Sequence, residues 1–399
     1  MATPKLQHDL AIQFGSEYGP EDEAAVLAVL HNNAPTSGNE CIAFEQEFAA
    51  YCGTRHARAV SNGTAALFVS MVALGVKPGD RVITTPLTWI ATPAAPATLG
   101  ATIDFVDIDP STYNLDPGQL AAAITPETRA IIPVHLYGQV CDMDPILEIA
   151  SQHGIAVVED SAQAVGGEYK GRKAGSFGAT GCFSFHEQKN MSTLGEGGMI
   201  TTDDDEVFER IMLYRSHCTR AYGKETKYCQ FDQEKRPMGK QFWWQDFDDV
   251  GYNFRMTDIQ AAVGRVQLRK LDSLNARRAA GAARLDAGLA DVPGITLPTT
   301  RADCKHTYHL YPIMIDPAVY GRDKTDFIYD MLYERGIKVG AHYNPLHWST
   351  AFKNRGYHEG QFPNAERVGH QLVTLPVGPR LTAEALDYLI ESIRELCRA

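Results

Sequence analysis

The chain predicts an α/β fold, a mostly parallel seven-stranded sheet between helices, followed by a smaller C-terminal α+β domain. Three observations predict it. Seven short runs rich in Val, Ile, Phe and Thr recur at 57–60, 81–85, 102–107, 130–135, 155–159, 181–185 and 198–202, as strands do. Helical stretches fall between several of them, at 64–75, 117–123, 143–153 and more weakly at 90–99. Such alternation favours a parallel sheet covered on both faces. A long helical pattern at 256–290 then separates this half from a shorter α+β pattern.

The remaining elements follow in order. Residues 20–30 read as a helix, with Pro20 at its start and Ala25, Val26, Val29 and Leu30 on one face. A second helix is expected at 41–51. Residues 219–250 are polar and charged, carry several aromatics and lack a clear period, so they read as a long excursion from the sheet domain. Within 256–290, Ile259, Val263, Val266 and Leu271 form a buried stripe. After Pro293 a strand at 308–315, a helix at 323–335, a strand near 337–341 and a closing helix at 382–397 are expected. The division is a large domain over 1–255, including the excursion, and a linking helix plus small domain over 256–399.

Length and charge narrow the function. A chain of 399 residues is long enough for two domains. A net charge of -12 disfavours nucleic acid and anionic membrane surfaces as partners. No apolar run reaches the roughly 18 residues a membrane span needs, and the first residues lack an apolar signal core. The eight cysteines are scattered without a Cys-x-x-Cys pair. Reduced thiols and a cytoplasmic location are therefore expected. His217, Cys218 and Cys229 fit no zinc spacing, so no metal is expected.

Four features then carry chemistry. Ser61-Asn-Gly63-Thr64 opens a helix after the first strand, and small residues there leave backbone N–H groups for a phosphate. Trp89 follows the second strand, where it could stack on a flat ring or simply pack in a core or interface. The strand 155–159 delivers Glu159-Asp160, with Gln163 three residues on. A carboxylate there can pair with a protonated pyridine nitrogen, and an amide can bond a phenolic oxygen; helix capping by Asp160 or Ser161 is the other reading. Lys189 follows the strand 181–185, before a Gly-rich turn. A lysine amine on such an element can form a Schiff base if its pKa is lowered, although most lysines are surface charges. Together the four meet the needs of pyridoxal 5′-phosphate.

Their order and spacing resemble the DegT/DnrJ/EryC1/StrS group of sugar aminotransferases, which have the aspartate aminotransferase fold (type I of the pyridoxal-phosphate enzymes). The matching segments are SNGTAAL (61–67), TTPLTWIAT (84–92), IIPVHLYGQVCDMD (131–144), VVEDSAQAVGGEYKGRKAGSFG (157–178), FSFHEQKN (183–190), GEGGMITTDD (195–204) and GYNFRMTDIQAA (251–262). The resemblance covers most of 20–290 and, more loosely, the C-terminal domain. It implies that Lys189 holds the cofactor covalently and moves the proton during transamination. Asp160 is then the partner of the pyridine nitrogen, Gln163 of the phenolic oxygen, and Trp89 stacks on the ring. Gly63, Thr64 and Ser184 bind the phosphate. Asn253 reaches the cofactor of a neighbouring subunit, which implies a homodimer with shared active sites.

The same resemblance places His309, His342 and Tyr343 at the substrate pocket, with strand packing as the other reading for Tyr308 and Tyr311. Arg220, Lys224, Lys227, Arg236 and Lys240 could meet an anionic substrate group or form a solvated loop. The expected reaction moves an amino group from glutamate or glutamine to a keto-sugar, nucleotide-linked, in amino-sugar biosynthesis for an antibiotic or polysaccharide. A keto-cyclitol acceptor, or a dehydratase or aminohydroxybenzoate-type synthase, stands as the alternative. Some relatives with histidine at the position of Lys189 are dehydratases, so the lysine favours amino transfer.

Overall fold

The computed structural model describes residues 5–11, 15–32, 36, 38–219 and 247–397. The basic residues Arg220, Lys224, Lys227, Arg236 and Lys240 lie outside these, as does Cys229. Seven of the strands form one sheet. They are β1 (His56–Val60), β2 (Arg81–Thr84), β3 (Thr102–Phe105), β4 (Thr128–Ile131), β5 (Ala156–Asp160), β8 (Thr180–Ser184) and β9 (Gly198–Thr202). Between β5 and β8 lie the two-residue strands β6 (Glu168–Tyr169) and β7 (Arg172–Lys173). The large sheet has the order β1-β9-β8-β5-β4-β2-β3. Only β9 runs against its neighbours. All seven strands expected from the sequence are present, and they make the seven-stranded sheet of that expectation.

Helices α1 (Pro20–His31), α2 (Asn39–Cys52), α3 (Gly63–Ala73), α4 (Ala91–Thr98), α5 (Pro117–Ala123), α6 (Met143–His153) and α7 (Asp205–Tyr214) surround the sheet. Their limits have local causes. Asn62 caps α3 through its side-chain oxygen, and Gly53 and Gly154 end α2 and α6 in the left-handed conformation. Apolar residues of α3 and α4, including Leu67, Met71 and Ala95, pack with Val60, Val82, Val158 and Ile200 of the sheet.

Helix α8 (Asp258–Leu289) joins the two parts of the molecule. Its first half buries Ala261, Leu268 and Leu271 with Phe44, Phe48, Phe183 and Phe185. Its second half buries Ala282, Leu285 and Leu289 among Tyr311, Ile313, Phe327 and Leu389. The second core also takes Leu10, so the segment 5–11 packs with the C-terminal part. That part holds β10 (Ile295–Thr296), β11 (Cys304–Lys305), β12 (Tyr311–Ile315), α9 (Pro317–Tyr320), α10 (Lys324–Tyr333), α11 (Thr350–Lys353), α12 (Pro363–Gln371), β13 (Leu372–Leu375) and α13 (Ala383–Leu396).

Two expectations for this region need correction. The strand expected at 308–315 begins only at Tyr311, because Tyr308 has a φ of 47° and cannot continue an extended strand. No strand forms at 337–341. Ile337 and Val339 alternate and are buried like strand residues, but pairing is limited to a single bridge from Gly340 to Thr374. The third strand of the small antiparallel sheet is β13 instead, in the order β10-β12-β13.

Candidate active site

Strands β1, β2, β4, β5 and β8 point the same way, so their carboxyl ends share one edge of the sheet. Ligands of open α/β sheets bind at that edge. Strand alternation gives the adjacent carboxylates of β5 opposite surroundings. Glu159 is fully buried. It accepts from the N–H groups of Gly175, Phe177 and Gly178 at 2.7–2.8 Å and from His135 Nε2 at 3.0 Å. It is a structural charge.

Asp160 turns to the other face and into the site. Its Oδ2 accepts from Thr92 Oγ1 at 2.7 Å, and its Oδ1 from the Ala162 N–H at 3.2 Å. Gln163 lies beyond it. Its Oε1 accepts from the Tyr137 N–H at 2.8 Å, and its Nε2 donates to the Tyr343 hydroxyl at 3.1 Å. The Tyr343 ring is 6.0 Å from Trp89, whose indole is 60 % exposed. An indole this open is not part of a core.

Gly63 and Thr64 are the first residues of α3, and Asn62 Oδ1 is bonded to the Ala65 N–H. The N–H groups of Gly63 and Thr64 therefore face outward at a helix N-terminus. Ser184 closes this corner. A Cβ on Gly63 would lie 2.7 Å from the Ser184 Cβ, so only glycine fits there.

After β8 the chain turns and presents Lys189. Burial draws the Lys189 amine down to about 8, against the opposing negative charge of Asp160. The residue keeps part of its surface open, but its amine has lost most of its water. The turn is strapped by residues 15 and 16. Gly15 donates its N–H to the Glu187 carbonyl at 3.1 Å, Ser192 donates its N–H to Ser16 Oγ at 2.7 Å, and buried Arg278 of α8 donates to the Gly15 carbonyl at 2.7 Å. A Cβ on Gly15 would fall 1.3 Å from the Lys189 carbonyl oxygen.

His309 and His342 both feel the charge of Lys189. Burial, reinforced by that charge, pushes His309 well below the usual histidine range and His342 down to about 4. Both are neutral near pH 7. His309 Nδ1 lies 3.2 Å from Asn190 Oδ1. The Asn190 amide nitrogen donates to Asn275 Oδ1 and the Thr307 carbonyl, so its oxygen accepts and His309 Nδ1 carries the proton. Asn253 stands apart from this group. It is exposed and bridges to Ser216, while the next residue, Phe254, accepts the Ser61 N–H at 2.8 Å beside the start of α3.

The profile of the DegT/DnrJ/EryC1/StrS aminotransferase family matches residues 17–394. The chain belongs to this family. This aminotransferase is 38% identical to the dTDP-3-amino-3,4,6-trideoxy-alpha-D-glucose transaminase of Streptomyces venezuelae, covering 95% of this chain and 93% of that one. The crystal structure of S. venezuelae DesV in complex with a ketimine intermediate superposes with a TM-score of 0.84, at 38% identity and 95% coverage of both chains. A putative sugar aminotransferase of Streptococcus pneumoniae in its PLP form gives a TM-score of 0.86 at 29% identity, covering 97% of this chain and 98% of that one.

Sequence reasoning about the aminotransferase missed several contributors. Thr92 ends the segment 84–92, but nothing local marks it as a partner of Asp160. Tyr137 adopts a φ of 57° and holds Gln163 through its backbone. Gly15, Ser16 and Asn275 act on the lysine turn from segments far away in sequence. Two surface clefts, one lined by Arg55 and Asp203, the other by Arg81 and Tyr357, contain none of these residues. Among the described residues no helix is long and apolar enough to cross a membrane.

Proposed function

We propose that this aminotransferase carries pyridoxal 5′-phosphate on Lys189 and transfers an amino group from glutamate or glutamine to a nucleotide-linked keto-sugar. The observation that carries the reading is the desolvated Lys189 amine facing Asp160 at the shared carboxyl edge of the sheet. The surrounding residues fit the cofactor part by part. The outward N–H groups of Gly63 and Thr64, with Ser184, suit its phosphate. Exposed Trp89 suits a face of its ring. Asp160 suits the ring nitrogen, and the second N–H of the Gln163 amide suits the phenolic oxygen. When bound, the group supplies an electron sink for the carbon that loses or gains a proton.

The chain's own residues do the rest. Lys189 Nζ, with its pKa near 8, takes and returns a proton close to neutral pH. Asp160 would lie beside the ring nitrogen and favour its positive charge. Neutral His309 and His342, with Tyr343, offer hydrogen bonds to uncharged sugar hydroxyls without adding charge beside Lys189. The cofactor residues belong to the large unit, 1–255, and the acceptor residues to 256–399. Exposed Asn253 is assigned to the cofactor phosphate of a second subunit, so the working form is a homodimer. The dTDP-sugar transaminase relative supports a nucleotide-linked acceptor.

The test combines labelling and turnover. Borohydride reduction of the holoenzyme should fix the cofactor to Lys189 in a peptide map. Nucleotide-linked keto-sugars and inososes should then be assayed with glutamate and glutamine. Label elsewhere than Lys189 rejects the site, and turnover of inososes alone rejects the acceptor class.

A further inference from the structure

Two hydroxyls at the site have no role in the scheme above. Thr92 is fully buried and Thr88 nearly so. Thr92 Oγ1 lies 2.7 Å from Asp160 Oδ2 and 3.0 Å from Thr88 Oγ1. A carboxylate only accepts, so the single hydrogen of Thr92 points to Asp160. Thr88 must then donate to Thr92. The chain has one direction, from Thr88 through Thr92 to Asp160.

This arrangement answers a specific problem. Asp160 is 6 % exposed, and among the described residues it has no ion-pair partner. An unpaired buried carboxylate needs donors to keep its charge. Its Oδ1 has one, the Ala162 N–H at 3.2 Å. Its Oδ2 has the shorter bond, and that bond comes from a side chain of another element, the first turn of α4. Thr92 therefore fixes the carboxylate's rotamer. Valine would fill the same space but could not donate this bond.

We propose that Thr92, oriented by Thr88, is a positioning residue that sets the direction of Asp160 toward the cofactor's ring nitrogen. The proposal rests on the reading of Asp160 given above. A pre-aimed carboxylate loses little freedom when the cofactor binds.

The experiment measures pyridoxal phosphate affinity of the apo protein by equilibrium dialysis, and the pH midpoint of the bound cofactor's absorbance. Thr92→Val should weaken affinity roughly ten- to hundredfold, the worth of one bond to a charged group, and should move the pH midpoint. Thr92→Ser should restore both to within about threefold. In an Asp160→Asn background, Thr92→Val should change affinity by less than about threefold, because the two act through one contact. If T92V does not fold, Thr88→Val reads the same chain, with an expected loss of about three- to tenfold for the weaker neutral bond. Unchanged affinity and pH midpoint in T92V, or in T88V where T92V does not fold, overturns the proposal. So does an equal loss from T92V with and without Asp160. Failure of the unmodified protein to bind the cofactor would instead reject the site reading, and the proposal with it.

Discussion

Gly15→Ala should disable the enzyme from outside its chemistry. The added Cβ would stand 1.3 Å from the Lys189 carbonyl oxygen, 2.2 Å from its carbonyl carbon and 2.9 Å from the Asn190 Cα. All three are backbone atoms, so no side chain can swing aside. Reaching an ordinary contact of 3.4 Å requires a displacement of about 2 Å, shared between the strap and the lysine turn. The strap is held by Arg278 on the Gly15 carbonyl and Arg380 on the Ser16 carbonyl, so much of the shift falls on Lys189. A misplacement of 1 Å at a reacting group costs on the order of a hundredfold in rate. Overpacking of this kind costs about 1–3 kcal/mol of stability or more. Gly19→Ala is the control, since a Cβ there meets nothing within 4 Å. The assay is kcat with a saturating acceptor, beside the melting temperature of the apo protein. We expect G15A to lose at least about a hundredfold in kcat and G19A to stay within about threefold, because surface changes are small. Equal kcat in G15A and the unmodified enzyme would refute the view that this contact sets the lysine's position.

Four further outcomes follow from the geometry. Glu159→Gln should cost about 3–6 kcal/mol, read as a fall in urea midpoint, because either orientation of the amide faces two N–H donors; His135 offers no escape, since its Nδ1 accepts from the Cys141 N–H and its Nε2 must donate. Lys189, charged less readily when folded, should make the apo protein gain stability as pH rises from about 8 toward 10.5, where the unfolded chain holds more protons; below 8 the penalty is full, and Lys189→Met should flatten that rise in pH-dependent urea titrations. Trp89→Phe should remove most of the fluorescence quenching on cofactor addition, and Trp89→Ala should weaken affinity about tenfold while leaving the melting temperature of the apo protein unchanged. Mixing inactive Lys189→Ala and Asn253→Ala proteins should restore activity in hybrid dimers, one site carrying neither change; no recovery after subunit exchange would place Asn253 outside the neighbour's site.

The large sheet was legible because each strand is a short β-branched or aromatic run ended by a turn, and burial on both faces makes that pattern dense. Asp160 and Lys189 were legible for a related reason: each follows such a run directly, so the strand's end fixes its place. The C-terminal part was harder. The 337–341 segment has strand-like alternation, yet its neighbours supply one bridge, and sequence pattern does not encode pairing partners. Tyr308 breaks its strand by a left-handed φ that no residue-type rule assigns to tyrosine. Gly15 and Thr92 were invisible because their importance is a distance to a remote backbone or carboxylate.

The two parts of the chain meet at the site through hydrogen bonds rather than through a shared apolar core alone. Gln163 donates to Tyr343, the Tyr137 hydroxyl donates to the His342 carbonyl, and Thr307 Oγ1 donates to the Gln163 carbonyl. Each bond ties a residue after α8 to one before it. A shift of the 342–343 segment therefore alters the Gln163 amide directly. On the proposed reading, substrate contacts on His342 and Tyr343 reach the Gln163 amide through these bonds, and Tyr343 also feels the negative charge of Asp160. On the proposed reading an amino donor and a keto acceptor use one cofactor in turn, and these bonds carry a change on the acceptor side to the residues that hold the cofactor.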